Sequence, residues 1–145
     1  MNVDIVTEGF GRRSIIEMDI REVLFKCHNV VEGSFGDLSP FNFSGVYVLC
    51  DDNDIVYVGS SYARTIKMRL SQYLREADSG NTLGKTIAKQ LSGQKKYNEL
   101  ATKKMKDAVE KIKSLKIFAI ETKDLEYHLI KLAKPVYNNC GKYED

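Results

Sequence analysis

Two short apolar runs, VYVLC and IVYVG, are rich in β-branched and aromatic residues and flank the acidic tetrad Asp51-Asp52-Asn53-Asp54. This pattern predicts an antiparallel β-hairpin. Its register decides what the hairpin can present, because side chains alternate between the faces of a strand. A four-residue turn would pair Val48 with Tyr57 and send Tyr47 and Tyr57 to opposite faces, whereas a five-residue turn from Cys50 to Asp54 would pair Tyr47 with Tyr57 on one face. Only the second register lets both tyrosines serve one site.

On either side of the hairpin the apolar spacing becomes helical. Ile20, Val23, Leu24, Cys27 and Val31 share a stripe, with Asp19 and Glu22 spaced as N-cap and N3 and Gly33 as a stop, which predicts a helix over about 20–31. Before it, VDIVTEGF alternates weakly, as an edge strand does. After it, GSFGDLSPFNFS is a turn-rich connection whose phenylalanines tack it to the core.

Downstream, Ile66, Leu70, Tyr73, Leu74 and Ala77 mark a helix that carries Arg69 one turn before Tyr73 on the same side. Leu83, Ile87 and Leu91 mark a second helix. Leu100, Met105, Ala108, Val109 and Ile112 mark a third. LKIFAIET reads as a third strand, and KDLEYHLIKLAK as a closing helix with Leu125, Leu129 and Leu132 inward and Glu126 beside that stripe. Pro135 ends the helix, and PVYNNCG follows as an extended tail. The expected fold is α+β: a small central antiparallel sheet of about three strands flanked by helices.

The length, 145 residues, suits one domain, and 43% hydrophobic with 29% charged residues argues against disorder. No apolar run approaches a bilayer's thickness, so no membrane association is expected. The first residues, MNVDIVTEGF, lack the basic head and apolar middle of a secretory signal, and a cytoplasmic location is expected. Cys27, Cys50 and Cys140 are odd in number and widely spaced, which suggests reduced buried thiols. His28 and His128 sit at no recognisable metal spacing. Net charge is only +2, yet the stretch 85–116 holds ten lysines against three carboxylates, a basic face able to meet a polyanion or simply water.

With GVY at 45–47 and YVG at 57–59, the hairpin resembles the GIY-YIG nuclease family. The order of residues further along strengthens the likeness: Arg69 on the next helix, Tyr73 one turn later, Glu126 in LEYHLI and Asn138 in PVYN. The wording of Arg69-Leu-Ser-Gln-Tyr-Leu is similar to that of the excision-repair branch of the family. The likeness runs from about 43 to 138, so that 1–42 reads as an N-terminal extension, 43–140 as the core, and about 94–113 as a lysine-rich helical insertion, all within one domain.

The resemblance implies a Mg2+-dependent DNA endonuclease, with Mn2+ able to substitute, and DNA, most simply double-stranded, as partner. A homo-oligomer is compatible with it, and the host would be a bacterial or phage-infected cell. The short segment after Asn138 makes the layout similar to the compact restriction or phage members. Phosphodiester hydrolysis requires a deprotonated water, a stabilised phosphate and a supported leaving oxygen. The resemblance makes Tyr47 the general base and Arg69 the phosphate ligand, and Glu126 the metal ligand. Tyr57 and Tyr73 would orient phosphate or water, and Asn138 would tie down the tail. Gly59, Arg64, Lys67, Lys85, Lys89, Lys95, Lys96 and Lys103 are the expected DNA contacts. Taken singly, strand tyrosines are packing residues, Arg69 and Glu126 surface charges, and Asn138 a turn former. The ordered set of six carries the nuclease reading. A catalytically silent DNA- or protein-binding module, and a nickase of branched or damaged DNA, stand as alternatives.

Overall fold

The structure, a computed structural model, describes residues 29–122 and 126–138. The expected N-terminal edge strand, most of the helix over 20–31, and Cys27, His28, Leu125 and Cys140 lie outside those residues.

The hairpin forms from β2 (Gly45–Asp51) and β3 (Asp54–Ser61), but in neither expected register. Tyr47 faces Gly59, Val48 faces Val58 and Leu49 faces Tyr57; the pairing then slips, and Cys50 meets Ile55. Val56 is thus the extra residue of a bulge, and the turn itself shrinks to Asp52-Asn53, with Asp52 at φ 54°. The bulge sets Tyr57 on the face of Leu49 and Tyr47, so both tyrosines share a face without being directly opposed.

Among the described residues four strands, not three, make the sheet. In addition to the hairpin and β4 (Lys116–Ile120), residues Val30–Ser34 form β1, and the order is β1-β4-β2-β3, antiparallel throughout. The end of the expected helix is therefore strand. Val30 and Val31 are β-branched and find their pairing partners on β4, and Gly33, expected to stop a helix, instead lies opposite Ile117 beneath Phe41.

The hairpin face that bears Tyr47 and Leu49 is covered by α1 (Ile66–Gln72), α2 (Thr82–Ser92) and, beyond the one-turn α3 (Glu99–Thr102), α4 (Met105–Lys113). The opposite face, through Val46, Val48, Val58 and Phe118, packs on Leu129, Ile130 and Ala133 of α5 (Glu126–Ala133). Helix α1 is capped by Thr65 and ends at Tyr73, which leaves Ala77 exposed and outside it. Leu91 and Leu100, expected inward, are exposed. The third expected helix is broken between Thr102 and Met105, and the break turns Met105, Ala108, Val109 and Ile112 onto the core while Leu100 stays out. No helix among the described residues is long and apolar enough to cross a membrane.

Candidate active site

Tyr47 points from β2 into the space a side chain on Gly59 would fill: a Cβ there would lie 2.5 Å from both Cζ and Oη of the phenol. Gly59, expected as a DNA contact, is buried under that ring. Gly45 likewise serves packing, since a Cβ would come within 2.1 Å of the Ile120 carbonyl oxygen. Tyr73, at the C-terminal end of α1, meets Tyr47 through an Oη–Oη hydrogen bond of 2.5 Å. Tyr57 completes a triangle of rings with centroid separations of 6.2 to 6.3 Å, edge-on to Tyr73. Tyr47 and Tyr73 are 1% and 0% exposed, whereas Tyr57 is only partly buried.

Arg69 lies one turn back along α1, its guanidinium carbon 5.3 Å from the Tyr73 ring centroid. Nη1 donates to Gln72 Oε1 at 3.1 Å and to the Gly80 carbonyl at 3.4 Å, and Nη2 donates to Thr82 Oγ1 at 3.3 Å. The segment that supplies the last two acceptors is held by Asn81, which is wholly buried. Its Oδ1 caps α2 by accepting from Gly84 N at 2.8 Å, while Nδ2 donates to the carbonyls of Tyr73 and Arg75 at 3.1 Å. Gln72 and Asn81 were not singled out from sequence. Their signals were local: Gln72 stands three residues after Arg69 on a helix, and Asn81 precedes a helical pattern at N-cap position.

Burial is the main cause raising all three phenols above the ordinary tyrosine range. Charge repulsion between neighbouring phenols adds to it, while Arg69 pulls each one partly back, as does hydrogen bonding with Tyr73 at Tyr47 and with Tyr57 at Tyr73. Glu126 contributes a further upward push at Tyr57. For Arg69, burial acts downward, but the surrounding phenols more than offset it and its pKa is raised. The resting cluster is three neutral phenols around one cation.

Glu126 opens α5 on the far side of β3. Its carboxylate accepts from Ser60 Oγ at 2.8 Å, and Ser60 lies opposite Val46, on the sheet face away from Tyr47. The structure therefore groups Tyr47, Tyr57, Tyr73 and Arg69, and sets Glu126 across the β3 edge from them. Asn138 lies at that edge too. Its carboxamide accepts from Val58 N and donates to Val58 O, both at 2.8 Å, one residue from Tyr57 and Gly59.

Of the remaining expected residues, Arg64, just before α1, and Lys67, in its first turn, are exposed. Lys85 donates to the Ser79 carbonyl and sits over the Tyr97 ring. Lys89 is half-buried on α2, and Lys95, Lys96 and Lys103 are exposed in the segment between α2 and α4. Lys111 is drawn instead to Asp51 at the hairpin turn. Cys50 is a buried thiol.

A family model described as the GIY-YIG catalytic domain matches residues 43–139. No curated protein and no solved structure matches the chain.

Proposed function

The chain belongs to the GIY-YIG catalytic-domain family, a family of nucleases, and from that premise we propose that it is an endonuclease that hydrolyses phosphodiester bonds of double-stranded DNA with Mg2+. The observation that carries this reading is the meeting of Tyr47, Tyr57, Tyr73 and Arg69 in one cluster, drawn from β2, β3 and α1.

Arg69 binds the scissile phosphate. Its planar fork matches two phosphate oxygens, and its acceptors within the chain are neutral oxygens that an anion can displace. Tyr47 is the general base. Its phenol rests protonated, so Oη takes the water's proton as its own passes to Tyr73 Oη and on through Tyr57, the phenol with partial access to solvent.

Glu126 fits a Mg2+ ion. Such an ion keeps several waters and needs only one or two carboxylates beside substrate oxygens, and Mn2+ accepts the same hard donors. When bound, the ion stabilises the charge on the leaving oxygen. Asn138 holds β3 where Tyr57 and Gly59 flank Val58.

Lysines of the insertion at about 94–113, with Lys85, Lys89 and Lys67, supply counterion-releasing contacts to the duplex. One site cuts one strand, so a double-strand break takes two copies or two visits, in the manner of the compact restriction or phage enzymes. The exposure of Tyr57 favours one variant of this scheme, in which Tyr57 meets the water and Tyr47 relays.

A plasmid-nicking assay in Mg2+ tests the reading. The parent nicks, while Glu126→Ala and Tyr47→Phe do not; a parent inert on plain, branched and single-stranded DNA overturns it in favour of a binding module. If Tyr57→Phe abolishes nicking and Tyr47→Phe only slows it, the two tyrosines exchange roles.

A further inference from the structure

Gln72 Oε1 accepts from two arginines at once, Arg64 Nη2 at 2.8 Å and Arg69 Nη1 at 3.1 Å. Both guanidiniums are donors only, so the amide must turn its oxygen toward them and its nitrogen away. The nitrogen side is fixed as well: a Cβ on Gly80 would lie 2.7 Å from Gln72 Nε2, so the carboxamide rests directly against that glycine. Arg64 is anchored at its other end, where its carbonyl accepts from Ser61 Oγ at 2.8 Å and Ser44 Oγ at 3.0 Å.

Two like charges share one neutral oxygen, and among the described residues neither arginine is in an ion pair with a carboxylate. Asp78, in the same loop as Gly80, is engaged by Gly80 N at 2.7 Å and by Arg75 at 3.7 Å. Such an arrangement is electrostatically unfavourable by itself, and an anion between the two forks relieves it.

We propose that Gln72 is a positioning residue that ties Arg64 and Arg69 into a two-guanidinium clamp, with Arg64 a second ligand for the sugar–phosphate backbone. The proposal rests on the nuclease reading for the identity of that anion. Arg69 faces the tyrosines, so Arg64, on the outer side of Gln72, meets either a second oxygen of the same phosphate or the adjoining one along the strand.

The test measures binding of a fluorescent duplex to the Glu126→Gln chain in EDTA over a salt series, with Arg64→Ala, Gln72→Leu and the double variant. Arg64→Ala is expected to weaken binding about tenfold and to lower the slope of log K against log salt by about 0.9, one phosphate contact. In the Gln72→Leu background the Arg64→Ala loss is expected to shrink to about threefold or less, because the untied guanidinium contributes less. Arg64 is exposed, so its removal leaves the unfolding midpoint in place, which separates binding from folding. An unchanged slope on Arg64→Ala, or the same loss in both backgrounds, overturns the clamp. A parent that binds duplex yet nicks no plasmid overturns the nuclease reading and leaves the clamp to be judged by the slope. A chain that binds no duplex overturns both.

Discussion

Replacing Gly59 by alanine adds one methyl group at the centre of the cluster. The new Cβ would sit 2.5 Å from Cζ and Oη of Tyr47 and 2.9 Å from Cε1. Ordinary carbon contacts begin near 3.5 Å, so the ring must move by about 1 Å. It has little room to do so, being 1% exposed, with the rings of Tyr57 and Tyr73 at 6.2 and 6.3 Å. Overpacking of this kind costs about 1–3 kcal/mol, and loss of the hydrogen bond to Tyr73 about 1 more, for a destabilisation of about 2–4 kcal/mol. A shift of that size in a reacting group lowers nicking by about a hundredfold in the fraction that stays folded. Urea unfolding reads the first effect, and plasmid nicking at saturating Mg2+ reads the second. The double variant Tyr47→Phe/Gly59→Ala, which lacks the clashing hydroxyl, is expected to regain about 1 kcal/mol relative to the sum of the single changes. Gly59→Ala that stays within about 0.5 kcal/mol of the parent and nicks at the parental rate would refute the reasoning.

Tyr47→Phe alone removes one partner of the buried hydroxyl pair and should cost about 1–2 kcal/mol in urea unfolding, besides its effect on nicking. Asn81→Ala deletes a wholly buried cap and three hydrogen bonds and should cost about 2–4 kcal/mol, with Arg69 and Tyr73 loosened, so that nicking falls together with stability. The three phenols have folded-state pKa values raised above the unfolded value of about 10. Their contribution is therefore fully present below about pH 10 and is lost as pH rises beyond it, because the unfolded chain releases protons that the folded chain retains. The loss approaches about 1.4 kcal/mol per pH unit for each phenol, and urea midpoints should drop steeply between about pH 10 and 11, less so in Tyr73→Phe.

Much of this arrangement was legible in the linear pattern because it depends on short-range periodicity: the two hairpin strands, β4, the helices around Leu70, Ile87 and Ile112, and the closing helix that carries Leu129. What escaped depends on partners distant in sequence. Val31 fits a helical stripe as well as a strand, and only the edge of β4 decides between them. The bulge at Val56 follows from how Leu49 and Tyr57 settle against the helical layer, which no count of turn residues reveals. Arg69 and Tyr73 were readable as helix neighbours, whereas the brace made by Gly80, Asn81 and Thr82 returns from the start of the next helix. That a missing side chain at Gly59 makes room for the Tyr47 ring follows from the cross-strand register, which sets the two residues opposite each other.

The carboxamide of Asn138 acts at Val58 as a one-residue substitute for a fifth strand, offering the donor and acceptor that an adjoining backbone would offer. An incoming chain that sought to extend the sheet past β3 would first have to evict it. Asn138 therefore does double duty as a gatekeeper, and a variant such as Asn138→Ala should show its defect as concentration-dependent self-association as well as in catalysis, with light scattering as the measure.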